Sequence, residues 1–307
     1  MDLRQLAALA AIADHGSFSG AAKALYTVQS NVSAHIQRLE TELGVVLVDR
    51  GRGRLTHEGA LVVERARRMQ SEIDAIHADL AALHTDVSGE VRLGVIGTTA
   101  RWLMPQFLIA LRDQHPKVRV IIVEGNSTSL LPQLVGGRLD AAVINLPVDD
   151  PDVAVEPLFD EEMVLVTTPD HPLANESEVD LRTLADHELL LGPKGTPLRD
   201  DLDEAARLAG VTLHSLAEID GVRLMASLAF EGFGPALVPS TAIPGWLRGS
   251  FVRIRVSDLP RRQVGLAQRR RTSLSAPARA TANVLTDVLA RNGAQQLGVR
   301  VHGTSTL

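Results

Sequence analysis

The sequence predicts a multidomain α/β protein: a small helical module closed by a β-hairpin, one long helix, and a larger body of strands alternating with helices. Three observations predict it. The hydrophobic period is helical up to about residue 44, a seven-residue repeat runs from Val62 to Leu83, and beyond Gly89 short apolar runs of strand length alternate with helical stretches. At 307 residues the chain has room for two or three such units.

The elements follow in chain order. Leu3, Leu6, Ala10 and Ala13 lie at helical spacing, and His15-Gly16 ends that helix. A second helix opens around Ser17, Phe18 and Ser19, with Ser19 expected as its N-cap and Ala21, Ala22 and Leu25 facing inward. Tyr26-Thr27-Val28 makes a tight connection to a third helix beginning near Gln29. There Val32, Ile36, Leu39 and Leu43 form one buried stripe, and Gly44 ends the helix. Apolar residues 45–48 and Leu55-Thr56 flank Arg50-Gly51-Arg52-Gly53-Arg54, which predicts a hairpin with a basic tip.

A long helix is predicted from about residue 58 to residue 86. Val62, Ala66, Met69, Ile73, Ile76, Leu80 and Leu83 are spaced 4-3-4-3-4-3, a seam that asks for a partner helix. Charged residues such as Glu64, Arg65, Arg68 and Glu72 occupy the other face, so dimerisation through this seam is the favoured reading over a core helix. Ser88-Gly89 breaks the helix. Strands are then expected at 91–96, 118–123, 141–144, 163–167, 189–191, 212–217, 236–238 and 264–267. Helices are expected at 102–111, 130–135, 202–208, 222–230 and 277–289, and the alternation predicts a parallel sheet. Residues 293–307 are polar and aperiodic and are expected to form a disordered tail.

The net charge of −6 hides an asymmetry: residues 1–70 hold nine basic against seven acidic side chains, which leaves 22 against 30 beyond. A basic head on an acidic body fits a polyanionic partner, because screening limits the reach of the acidic part to about 8 Å. Cysteine is absent, which excludes disulfides and thiolate metal sites. With no export signal and no apolar run of membrane length, a cytoplasmic protein without a membrane partner is expected. There is no Gly-x-Ser-x-Gly elbow, phosphate-binding loop or His-Glu-x-x-His, so no catalytic residue, metal site or cofactor is assigned.

The stretch Phe18-Ser19-Gly20-Ala21-Ala22-Lys23-Ala24-Leu25, then Gln29-Ser30-Asn31-Val32-Ser33 and residues 36–44, resembles the signature of LysR-type transcriptional regulators. Leu47-Val48-Asp49-Arg50 and Leu55-Thr56-His57-Glu58-Gly59 continue it, and residues 136–142 and 230–234 resemble the family's sensor domain. Two departures stand out: Val48 where the family usually has Phe, and Ser30-Asn31 in place of a common Pro-Ala. The resemblance implies a winged helix-turn-helix DNA-binding domain (1–58), a linker and dimerisation helix (59–87) and an effector-binding domain (88–292). The last divides into subdomain I (about 90–162 plus 268–292) and subdomain II (about 163–267), similar to type 2 periplasmic binding proteins. It also implies homotetramers and inverted-repeat sites on double-stranded DNA, with RNA polymerase a further candidate partner.

With the apolar stripe inward, Ser30, Gln37 and Arg38 fall on the outer side of the third helix, Ser33 on its flank and Gln29 at its start, where such side chains reach base edges and phosphates. Arg52 and Arg54 at the hairpin tip suit phosphate or minor-groove contact. These seven are the expected DNA-binding residues, and Val62, Met69, Ile73, Ile76, Leu80 and Leu83 the expected dimerisation residues. In an open α/β sheet ligands gather where strands end. The loops there present Thr98, Thr99, Ser127, Thr128, Asn145, Thr196, Arg199 and Asp220, and the first five also match positions that line the family's effector pocket. A small polar or anionic effector is expected, with Lys194 or Arg199 able to add charge. The alternative is a solute-binding protein or an enzyme on the same α/β fold.

Overall fold

In this computed structural model the described residues are 1–302 apart from 52, 84, 85, 244 and 271. The head begins with α1 (Leu3–His15), where Asp2 accepts from the Gln5 N–H and the Gln5 side chain accepts from the Asp2 N–H. This reciprocal cap satisfies two otherwise orphaned donors. In α2 (Phe18–Ala24) the cap is Ser17 rather than Ser19, because the extended backbone of Ser17 aims its hydroxyl at the Gly20 N–H, 3.0 Å away. Next come α3 (Gln29–Leu43), the two-stranded wing β1 (Val48–Asp49) and β2 (Arg54–Leu55), and α4 (His57–Ala82). Glu40 of α3 fixes the wing by accepting from the Leu47 and Val48 N–H groups at 2.8 and 3.2 Å. A Cβ on Gly59 would lie 2.0 Å from the Leu47 carbonyl oxygen, so only glycine lets α4 cross the wing strand. Leu9, Ile12, Ile36, Leu39, Leu47 and Val48 are the buried centre of this module. Leu43, expected at the end of the α3 stripe, is exposed.

The body opens with β3 (Gly89–Ile96), α5 (Gly97–Gln114), β4 (Val118–Gly125), α6 (Ser127–Val135), β5 (Ala141–Asn145) and β6 (Val153–Glu161). The chain continues with β7 (Met163–Thr167), β8 (Glu178–Val179), α7 (Leu181–Ala185), β9 (Glu188–Leu191) and α8 (Pro197–Ala209). It closes with β10 (His214–Glu218), α9 (Val222–Phe230), β11 (Ala236–Pro239), β12 (Val252–Val256), β13 (Arg262–Arg269), α10 (Ala276–Asn292) and β14 (Val299–Val301). Two six-stranded sheets result, in the orders β14-β6-β13-β5-β3-β4 and β10-β9-β11-β7-β12-β8. Both are mixed rather than parallel: β3 runs parallel to β4 and β5, but β13 pairs antiparallel with β5 and β6, and β7 antiparallel with β11 and β12.

Three expectations need correction. All of β13 lies in the first sheet, so the chain re-enters subdomain I at Arg262 and not at residue 268. β6 and β12 are strands beyond those expected. The tail is not free over its first ten residues: β14 pairs with β6, Gln296 donates to the Ser240 and Ile243 carbonyls, and Gly293 lies under Val301. Val299 and Val301 alternate onto the open edge of β6, which supplies the partner that polarity alone did not reveal. Residues 303–307 of the expected tail lie outside the described residues.

The long helix α4 stops at Ala82, earlier than expected, and lies along its own body. Arg68 Nε donates to the Val135 carbonyl at 2.8 Å, Arg269 reaches Ser71 Oγ at 3.4 Å, and Asp79 accepts from the Ala276 N–H at 2.6 Å. No helix among the described residues is long and apolar enough to cross a membrane.

Candidate functional site

The head presents one polar face. α3 starts at Gln29 with no side-chain cap from Val28, so its first N–H groups stay open. Gln29, Ser30, Gln37 and Arg38 are exposed on this helix and Ser33 is half-buried on its flank. Asn31 Nδ2 donates to Thr27 Oγ1 at 3.0 Å and ties the helix start to the preceding turn. Arg54 stands exposed on the wing, while Arg52 lies outside the described residues. A helix of this length with a free polar N-terminus beside a basic wing has the parts needed for the major groove and its flanking phosphates.

Along α4 the seam divides. Val62 packs partly on the head core and Ile73 is half-buried, whereas Met69, Ile76, Leu80 and Leu83 are 44, 58, 56 and 75% exposed. Three large apolar side chains of the seam, and Leu83 just past the end of α4, are thus left open to water.

The second locus is the junction of the two sheets. α5 starts where β3 ends and packs against α9 and the 3-10 turn Ser240–Ala242 of the other subdomain. Thr98 and Thr99 in its first turn are buried. Thr98 Oγ1 accepts from Arg262 Nη2 at 3.0 Å. That guanidinium also donates through Nε to Glu161 Oε1 at 2.8 Å, while Glu161 Oε2 accepts from Thr241 Oγ1 at 2.7 Å. Glu161 is fully buried. One buried ion pair on the two crossing strands therefore joins α5 of subdomain I to the turn at Thr241 of subdomain II. Sequence reading missed Glu161, Arg262 and Thr241; an Arg opening an otherwise apolar strand was the available signal.

The expected effector residues fall into two groups. Thr98, Thr99, Ser127 and Asn145 gather at the carboxyl edge of the first sheet, where Ser127 Oγ accepts from the Asn145 N–H at 2.9 Å. Thr99 Oγ1 and Asn145 Oδ1 are buried without a hydrogen-bond partner among the described residues. Thr128 is exposed. Thr196, Arg199 and Asp220 sit where β9 and β10 end, across the junction; Thr196 Oγ1 donates to the Pro193 carbonyl and Asp220 is exposed. Arg199 offers no spare charge: it is buried and bonded to Asp203 at 2.9 Å, Glu218 at 3.2 Å and the Gly192 carbonyl at 2.8 Å. Lys194 is exposed on the same loop. Arg223, at the start of α9, pairs across the junction with Glu124 at the end of β4, directly over Gly97. Burial pushes the Asp201 carboxyl above its ordinary range, and neighbouring Asp200 adds to this against the pull of Arg262.

Residues 3–60 match the family described as bacterial regulatory helix-turn-helix protein, lysR family, and residues 84–290 the LysR substrate binding domain. The chain is 34% identical over 275 residues to a "Probable hydrogen peroxide-inducible genes activator" of Streptomyces viridosporus, covering 87% of this chain and 88% of that one. It is 30% identical over 273 residues to the "DNA-binding transcriptional dual regulator OxyR" of Escherichia coli K12, covering 88% and 90%. Full-length OxyR of Pseudomonas aeruginosa, solved with a cysteine-to-aspartate substitution, superimposes with a TM-score of 0.76 at 27% identity over 94% of each chain. The full-length regulator CbnR bound to its target DNA shares the fold, with a TM-score of 0.67 at 21% identity over 94% of this chain and 100% of that one.

Proposed function

Since the chain belongs to the LysR family of DNA-binding transcriptional regulators, we propose that a small, polar, uncharged effector held between its two α/β subdomains sets its activity at promoter DNA. The observation that carries this reading is the pair of orphaned polar atoms, Thr99 Oγ1 and Asn145 Oδ1, buried at the sheet edge that faces the junction. A buried polar atom without a partner costs about 1–3 kcal/mol, which a bound hydroxyl or amide relieves. The charge pattern supports the neutrality of the effector. Arg262, Arg223 and Arg199 each already hold a carboxylate of the chain itself. An anion would have to displace one of these and face Asp200 and Asp201 as well.

The Streptomyces viridosporus relative is named for hydrogen peroxide. A chain without cysteine has no thiol to oxidise and no disulfide to form, so its response rests on binding. The same proposal includes a cytoplasmic location, pairing through the open α4 residues into a homodimer or homotetramer, inverted-repeat sites on double-stranded DNA, and RNA polymerase as a promoter partner.

The test is a metabolite screen by thermal shift on the full chain and on Thr99→Val. Hits that stabilise the native chain and are lost in Thr99→Val support the cleft; if no hit of any class is lost, the cleft reading is refuted. Among cleft hits, a majority of anions or cations overturns the neutral class. A control uses inorganic sulfate: Glu124→Gln frees Arg223 and is expected to bind sulfate about tenfold more tightly than the native chain.

A further inference from the structure

Where α1, α3 and α8 end, the chain turns through the left-handed region on a glycine: Gly16, Gly44 and Gly210, with φ of 66°, 70° and 74°. Such a cap costs glycine nothing, because it has no Cβ to collide with the following carbonyl. α2 ends differently. Its turn toward α3 puts Tyr26 at φ 51°, and Tyr26 is the one non-glycine residue at positive φ among the described residues. The turn itself is well made: the Leu25, Tyr26 and Thr27 N–H groups donate to the carbonyls of Ala21, Lys23 and Ala22. A glycine or asparagine would make it as well, whereas a bulky side chain there strains the backbone.

Folding gains nothing in return. The Tyr26 ring is 99% exposed, and no hydrogen bond to its hydroxyl is present among the described residues. A strained, fully solvated aromatic residue points to a partner outside the chain. Its position says which. Tyr26 lies three residues before Gln29, the first residue of α3, beside the open N–H groups and the exposed Gln29 and Ser30. We infer that Tyr26 is a DNA-contact residue whose phenolic hydroxyl donates a hydrogen bond to a backbone phosphate flanking the groove that α3 enters. Tyrosine is among the side chains that make such contacts. The contact is uncharged, so it releases no counterion and carries no base preference.

The experiment uses the full chain and a duplex that the chain itself selects from a random pool, with a scrambled duplex beside it. Tyr26→Phe is expected to weaken binding about fivefold on both duplexes, the size of one hydrogen bond, with an unchanged dependence on salt. Tyr26→Asn is expected to lose the same affinity while melting at a higher temperature than the native chain, because asparagine tolerates the left-handed region. A Tyr26→Phe chain that binds as the native chain does would overturn the phosphate contact. So would a change confined to the selected duplex, which means base readout, or a reduced salt slope. If both variants bind normally and only the melting temperature of Tyr26→Asn rises, the strain serves a protein partner instead and the DNA assignment falls.

Discussion

At the scale of single residues, the most consequential group is the ion pair that the crossing strands bury. Glu161 is 0% exposed and Arg262 only 10% at its side chain, and both oxygens of the carboxylate are used. Such a pair adds little net stability, but removing one partner strands the other charge. Arg262→Met is therefore expected to destabilise the chain by about 3 kcal/mol, and Glu161→Met with Arg262→Met to recover a large part of that, measured by urea unfolding of all three variants. Equal losses in the single and double variants would show that the pair is not coupled. His171 carries a second, pH-dependent expectation. Its ring lies 5.3 Å from that of His187, tilted at 51°, and its Nδ1 accepts from the Leu173 N–H at 3.2 Å. Burial lowers its pKa from the ordinary 6.5, His187 lowers it further, and Asp170 opposes both. The unfolded chain thus takes up this proton before the folded one, so stability is complete above about pH 6.5 and falls as pH drops toward the folded value. The melting temperature of His171→Gln should accordingly fall less than that of the native chain between about pH 7 and about pH 5. Parallel curves would assign the acid sensitivity elsewhere.

At the scale of elements, the proposed reading divides the work of binding DNA between α3 and the wing. Arg54→Ala should weaken binding to every duplex alike and lower the salt slope by about one, since one phosphate contact is lost; Gln37→Ala should instead shift preference among selected sequences. An unchanged slope for Arg54→Ala, read by fluorescence anisotropy at several salt concentrations, removes the phosphate role. On α4, Ile76→Asp is the cleaner probe of assembly, because Ile76 is 58% exposed in the single chain and its loss leaves the chain's own core alone. Burying that carboxylate in a paired seam costs several kcal/mol, so light scattering should report a dissociated chain. An intact oligomer would move the interface elsewhere. The helices of the head were legible because the glycine stops after α1 and α3 agree with the apolar period, although the cap of α2 fell on Ser17 and not on Ser19. β12 was legible in principle, since Val252, Ile254 and Val256 alternate with Arg253 and Arg255. β6 was obscured by Pro157, and β14 depends on an edge that sequence does not display. The candidate site was half legible: reading the loops after strands brings Thr98, Thr99, Ser127 and Asn145 together, and the structure has them at one sheet edge. Glu161 and Arg262 stayed hidden, because their pairing is made by two strands 101 residues apart.

At the scale of the whole molecule, the proposed effector site has to communicate with the head, and the contacts along α4 offer a physical route. Asp14, at the end of α1, pairs with Arg67 of α4 and stands 3.9 Å from Arg138 in the body loop after α6. Burial pulls the Arg67 guanidinium below its ordinary range, and Asp14 restores part of this, so the carboxylate holds a partly buried cation in place. One residue further on, Arg68 grips the carbonyl of Val135 at the end of α6, the helix whose other end carries Ser127. Head, linker and the sheet edge of the cleft are thus connected through α6 and two arginines. Coupling of this kind is reciprocal: whatever factor an effector imposes on DNA affinity, DNA must impose on effector affinity. With the effector found by the screen, calorimetric titration of the chain alone and of its DNA complex should give the same factor as DNA titrations with and without effector. Asp14→Asn should shrink both factors together, while effector affinity for the DNA-free chain stays within about threefold, below 1 kcal/mol. If both factors survive Asp14→Asn undiminished, the link between cleft and head does not pass through the Asp14 cluster, and the oligomer interface becomes the place to look for it.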